Sequence, residues 1–281
     1  MNTTRIDSHQ HFWQLERGDY GWLTEELGVL YRDYQPRELA AHLLSGGIDK
    51  TVLVQAAATV AESDYLLSLA DQHTFIAGVV GWIDMEAPDA LAQLAHLARH
   101  SKLLGIRPMI QDIADPRWML GDELAPVYRE LITRGLRFDA LVKPPHLDAL
   151  LVLLQRYPEL PVVIDHGGKP DIANEVFAPW AGRMEALAQE TGACCKLSGL
   201  LTEAGPEAGV KELRPYVEHL LQCFGPRRLM WGSDWPVLNL AADYPQWLAL
   251  TESLLANLDD ADRDAIMGDT AARFYGLDIT A

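Results

Sequence analysis

The chain has 281 residues, 49% of them hydrophobic and 22% charged, an ordinary globular balance with ample material for a buried core. A formal net charge of -17 repels phosphate backbones and anionic lipid surfaces, which argues against nucleic acid and membranes as partners. No basic segment followed by an apolar stretch opens the chain, and no apolar run reaches the roughly 18 residues of a membrane span, so a cytoplasmic protein is expected. The three cysteines, Cys194, Cys195 and Cys223, form neither a disulfide framework nor the spaced pairs of a zinc site, and read as structural thiols.

In chain order, short β-rich runs alternate with segments of helical periodicity, the pattern of repeated βα units on a parallel sheet. The expected strands are Ile6 to Gln10, Thr51 to Gln55, Phe75 to Trp82, Leu103 to Arg107, Arg137 to Val142, Pro161 to Asp165, Cys194 to Ser198 and Arg228 to Gly232. Eight such units, continuing evenly to the end of the chain, predict a (β/α)8 barrel spanning residues 1–281 as one domain. Helices are expected at PRELAAHLLSGG, ESDYLLSLADQH, DALAQLAHLARH, ELAPVYRELITRG and LDALLVLLQRYP. No G-x-G-x-x-G follows the first strand to suggest a dinucleotide site.

A barrel carries its active site at the carboxyl ends of its strands. Those ends read DSHQHFW, LVQAAAT, VVGWID, GIRPMIQD, ALVKPPH, VIDHGGKP, KLSGL and WGSDWP, and His, Arg, Lys and Asp accumulate there. His9 and His11 stand two apart on an extended segment, so both face one side and can grip a metal or donate to one substrate oxygen. Alone the pair says little, because nine histidines in 281 residues produce one by chance in about one chain in four. His166, just past PVVID, and Asp234, directly after an apolar strand, complete a set that serves either a divalent metal site or a metal-free hydrolytic site. His42, His73, His96, His100 and His219 fall in or beside helices and are assigned to solvated faces.

Taken together, IDSHQHFW, GIRPMIQD, DHGGKP, CKLSGL, LMWGSDWP and GDTAARFYGL resemble the lactonase branch of the amidohydrolase superfamily, with its L-fuconolactonases and L-rhamnonolactonases. The resemblance runs from the first strand to the last helix. It implies a (β/α)8 barrel in which His9, His11, His166 and Asp234 match the His-x-His, strand-six His and strand-eight Asp of the superfamily. Those four residues could then hold one divalent cation such as zinc. The branch it resembles can work without a metal, so an essential metal is not expected, and no strand end supplies the carboxylated lysine of a binuclear centre. A departure from the pattern is Pro108 after the strand-four arginine, where fuconolactonase-like relatives tend to carry histidine; His146 is a candidate to compensate.

The implied reaction is hydrolysis of an aldonolactone, first L-fucono-1,5-lactone and next an L-rhamnono- or L-galactono-lactone, with Asp234 deprotonating water. Arg107 would bind the ring carbonyl or a hydroxyl, or neutralise a buried acid, and Lys143 is a further basic candidate. The aromatic-rich stretch from Phe12 to Tyr34 reads as a lid. Trp13, Trp22 and Trp82 are candidates to pack against a sugar ring. Sparse basic groups favour a small neutral sugar lactone over a dicarboxylate. The rival readings are a metal-dependent decarboxylase of the same superfamily and a barrel that binds sugar acids without turnover.

Overall fold

In the computed structural model, which describes residues 3–205 and 207–278, eight parallel strands form one sheet in the order β1 to β8. They are β1 Ile6–Gln10, β2 Lys50–Val54, β3 Ile76–Gly81, β4 Leu103–Ile106, β5 Arg137–Ala140, β6 Val162–Ile164, β7 Cys194–Leu197 and β8 Leu229–Trp231. Each expected strand is present: β1 has the expected bounds, β2 is shifted one residue towards the N-terminus, and the other six are shorter by one or two residues, each losing at least one at the carboxyl end, where the chain leaves the ladder to present side chains to the mouth. Residues 1, 2, 206 and 279–281 of the expected domain lie outside the described residues.

Helices cover the strands from outside. The first two are α1 Pro36–Gly46 and α2 Val60–Gln72. Pro36 opens α1, the capping box of Gln35 and Glu38 satisfies its first amides, and Gly47 closes it at φ 64°. α2 begins at Thr59, whose hydroxyl accepts from Glu62 N. The other three expected helices appear at Ala90–Leu97, Ala125–Arg134 and Leu147–Arg156. Among the described residues no helix is long and apolar enough to cross a membrane.

The sheet closes where β8 meets β1. Asp234 N donates to His9 O at 2.8 Å, His11 N to Trp235 O at 2.8 Å, and Ser8 Oγ to Trp231 O at 2.6 Å. A Cβ on Gly232 would stand 2.8 Å from His9 Cβ, so glycine is what lets the two strands approach. Asp7, fully buried in this seam, accepts from Ser233 N at 2.8 Å, His9 N at 3.2 Å and Tyr244 OH at 3.1 Å.

The helix-borne histidines divide. His96 and His100 are surface groups paired with Asp64 and Asp71. His42 and His219 depart from the solvated faces expected of them, because neighbouring aromatic side chains half-bury both. His42 stacks on Tyr244 at 5.4 Å, and His219 lies against Trp180 with Nε2 2.9 Å from Ala181 O. All three cysteines are free, and burial pushes the Cys194 thiol up to about 11 and the Cys195 thiol higher still, which suits packing rather than reaction.

Candidate active site

At the carboxyl ends of the strands lies a cavity of about 240 Å³, lined in part by His11, Arg107, His166 and Asp234, with Trp22, Gln111, Asp112 and Lys169 nearer the entrance. His9 and His11 project to the same side of β1, and their Nε2 atoms are 3.1 Å apart. Ser8 and Gln10, facing the other way, bond Trp231 O and Thr51 Oγ1 in the barrel wall.

Asp234 follows β8 and sets Oδ1 3.2 Å from His11 Nε2, 3.7 Å from His9 Nε2 and 3.9 Å from His166 Nε2. Both Asp234 and His166 occupy the left-handed region, at φ 58° and 53°, which non-glycine residues hold only when the surroundings over-determine them. For His166 part of that support is visible: its Nδ1 lies 2.9 Å from Ser198 Oγ, and Gly199 leaves room for the ring, since a Cβ there would fall 2.7 Å from His166 Cγ.

Burial opposes ionisation of Asp234, but the facing His166, His11 and His9 outweigh it and hold the carboxyl well below the usual carboxylate range. Asp234 is therefore an acceptor of protons at neutral pH. Burial lowers His166 to about 4 and also depresses His9, so both rings are neutral there.

Beneath these groups lies a charged layer that joins Lys196 and Arg107 to buried carboxylates. Lys196, fully buried on β7, contacts Asp139 Oδ2 at 2.6 Å, Asp165 Oδ1 at 3.0 Å and His9 Nδ1 at 3.0 Å. Tyr275 OH donates to the same Asp139 oxygen at 2.7 Å. Burial works against the charge on Asp165, yet Lys196 and then His9 bring its pKa well below the ordinary value. Arg107 donates to Gln55 O and lies 3.5 Å from Asp165 Oδ2, so it both lines the cavity and faces a buried acid. The available signal was a lysine in the middle of the apolar run CCKLSG, which demands a buried partner.

The structure separates the other candidates. Trp22 lines the cavity, its indole N–H bonded to Ala56 O at 2.6 Å. Trp13 does not: it is fully buried, packs on Tyr34 and Trp22, and donates to Arg32 O. Trp82 lies outside the cavity lining, its backbone N–H and C=O both bonded to the Ser63 hydroxyl on α2. His146 accepts from Lys143 N at 3.0 Å and serves a turn after β5 rather than the cavity wall, while the Lys143 side chain is exposed. In place of Lys143, Lys169 reaches the mouth, bonded to Gln111 Oε1 at 3.0 Å and paired with Glu203 at 3.2 Å.

The donor chemistry fits one divalent cation. Ligand atoms of His9, His11 and Asp234 all lie within 4.8 Å of one another, and those of His9, Asp165 and His166 do likewise. Two or three imidazoles with one carboxylate are a usual zinc set.

The chain is similar to known proteins over nearly its whole length. The chain is 44% identical over 280 residues to an L-fucono-1,5-lactonase of Burkholderia ambifaria, covering 98% of this chain and 97% of that one. It is 38% identical over 289 residues to an L-fucono-1,5-lactonase of Burkholderia multivorans, covering 99% and 97%. A crystal structure of an amidohydrolase from Burkholderia multivorans with bound zinc superposes with a TM-score of 0.92 at 38% identity, covering 98% of this chain and 100% of that chain. The sequence pattern of the amidohydrolase family matches residues 6–277. With a barrel whose mouth gathers two histidines from β1, one after β6 and an aspartate after β8, the chain belongs to the amidohydrolase family.

Proposed function

We propose that the protein, acting as one domain, hydrolyses the ring ester of a neutral sugar lactone to the aldonic acid. L-fucono-1,5-lactone is the first candidate, and L-rhamnono- and L-galactono-lactones follow. The observation that carries this reading is an ionised Asp234 held among three imidazoles in the wall of a small cavity. Two of the relatives, the L-fucono-1,5-lactonases of Burkholderia ambifaria and Burkholderia multivorans, support the choice of substrate.

Asp234 takes a proton from a water molecule, whose oxygen attacks the lactone carbonyl. The carbonyl oxygen gains charge and is met by imidazole N–H and Arg107 donors, the usual source of the largest stabilisation in acyl transfer. The ring C–O bond then breaks, and the ring oxygen leaves with the proton that Asp234 took. An ester carbonyl is electrophilic enough for these groups to suffice. A divalent cation held by His9, His11, His166 and Asp234 would polarise the same carbonyl; zinc is the candidate, and its removal is expected to leave activity in place.

Specificity follows from the lining. The cavity is below the roughly 300–1,000 Å³ of drug-sized pockets and suits one small ring. Trp22 offers a face to C–H groups, and Gln111, Asp112 and Lys169 offer partners to hydroxyls. Each cation of the wall already faces a carboxylate, Arg107 with Asp165 and Lys169 with Glu203, which disfavours a dicarboxylate substrate. Three free thiols suit a reducing, cytoplasmic setting.

A pH-indicator assay on a panel of aldonolactones, with and without chelator, tests the proposal. Asp234→Asn should lower kcat by about 10²–10⁴. Hydrolysis of no lactone, or undiminished turnover by Asp234→Asn, would sink it. Carbon dioxide release from an aromatic acid would support a decarboxylase instead, and saturable binding without product a binding barrel.

A further inference from the structure

β2 and β4 are not neighbours in the sheet, because β3 lies between them and pairs with both. Just past their carboxyl ends, Gln55 and Arg107 each extend the pairing to β3 by one bond: Gln55 N donates to Val80 O and Arg107 N to Gly81 O, both at 2.8 Å. The two residues then bond each other across the end of β3. Gln55 Nε2 donates to Arg107 O at 2.7 Å, and Arg107 Nη2 donates to Gln55 O. Each side chain thus holds the other residue's backbone carbonyl.

A carbonyl only accepts, so the NH2 end of the Gln55 amide is the end that faces Arg107 O. The same nitrogen reaches Met109 Sδ at 3.1 Å, which commits both of its donors to one short segment, Arg107-Pro108-Met109. Pro108 stiffens that segment by fixing its own φ. The other end of the amide gains nothing: Gln55 is fully buried, and its Oε1 has no hydrogen-bond partner. Methionine, of similar length, would fill the same space without a buried unpaired oxygen, so it is the two donors that call for glutamine here.

We infer that Gln55 is a positioning residue that acts through Arg107, its amide fixing the backbone from which the Arg107 guanidinium and the Met109 side chain enter the cavity. Arg107 and Met109 both line that cavity, and Gln55 is not among the lining residues. The effect on turnover rests on the lactone-opening reading, in which Arg107 meets the carbonyl oxygen; the hold on Arg107 does not.

A double-mutant cycle of Gln55→Met and Arg107→Met separates positioning from a merely structural role. Substitution at 107 leaves its backbone carbonyl in place, so Gln55→Met should shift the urea midpoint equally in both backgrounds. Asp165, which loses Arg107, keeps Lys196 at 3.0 Å. Turnover should behave otherwise. Beside an intact Arg107, Gln55→Met should lower kcat roughly 10–100-fold with a smaller change in KM. In the Arg107→Met background it should change kcat by less than about twofold. Undiminished kcat in Gln55→Met, or equal fold losses in both backgrounds, overturns the inference. Guanidinium ¹⁵N–¹H spectra of arginine-labelled protein need no substrate, with the Arg107 signals assigned by their loss in Arg107→Met. Distinct Nη resonances are expected in the wild type and averaged ones in Gln55→Met. Averaged resonances in the wild type, which no variant has to fold to reveal, or distinct ones retained in Gln55→Met, also overturn it. Failure to open any lactone, with the Arg107 resonances distinct in the wild type and averaged in Gln55→Met, would remove the proposed function and leave the positioning standing.

Discussion

Asp234 and His166 are held in backbone conformations that non-glycine residues disfavour, and the consequences are testable one residue at a time. Since burial lowers His166 to about 4, its ring stays neutral through the physiological range, and turnover should be flat from about pH 5 to 8 and fall only as pH drops toward 4. An acid limb near the usual 6.5 in the kcat/KM profile would show a solvated ring instead. Gly199→Ala places a Cβ 2.7 Å from His166 Cγ at a backbone φ of +63°. It should cost about 1–3 kcal/mol in urea unfolding and reduce kcat together with stability, because the ring is displaced from Asp234.

Among elements, the lid and the loop after β2 act together. Both carboxylate oxygens of buried Glu62 accept backbone amides, from Ala56 at 2.9 Å and Ala57 at 3.0 Å, which shapes the loop whose Ala56 carbonyl holds the Trp22 indole. Glu62→Ala leaves two buried amides without acceptors and should destabilise the fold by about 2–4 kcal/mol, measured by denaturant melts. Trp22→Ala removes an indole that lines the cavity while leaving Asp234 untouched, so KM for the lactone should rise more than kcat falls. Equal loss in both constants would place Trp22 in the chemistry rather than in binding.

For the whole molecule, two buried groups give stability opposite dependences on pH. Burial pushes Asp7 up to about 6 from 3.8, against the hydrogen bonds from Ser233, His9 and Tyr244. The native chain therefore keeps a proton that the unfolded chain releases, a contribution complete below about pH 4 and lost as pH rises through 6. His166, lowered from 6.5 to about 4, contributes in the reverse sense: fully above 6.5, and lost as pH falls toward 4. Asp7→Asn fits the seam, since its Oδ1 keeps both backbone amides and its Nδ2 can donate to the Tyr244 oxygen. In that variant stability should climb by roughly 3 kcal/mol from pH 4 to 6.5, where the wild type is flatter. Urea midpoints across that window check it, and an unchanged profile would mean that Asp7 is ionised in the native seam.

The barrel was legible in the sequence because its causes are local and repeated: short β-rich runs of five to eight residues, helical periodicity between them, and caps such as Pro36 and Gly47. The four groups at the mouth were legible for a related reason, since strand ends are readable and an α/β barrel brings all of its strand ends to one face. Which aromatic residues meet a ligand was not. Trp13 and Trp22 come from the same stretch and have the same chemistry, but packing under Tyr34 hides one and the carbonyl of Ala56 presents the other. The layer beneath the site was equally hidden, because a charge pair among Lys196, Asp139 and Asp165 joins residues 31 to 57 positions apart that no sequence spacing links. By itself the sequence determined the fold and the ring of reactive groups; only tertiary contact decided that His9 leans on an ammonium and His11 on a carbonyl, because those partners come from strands distant in the chain.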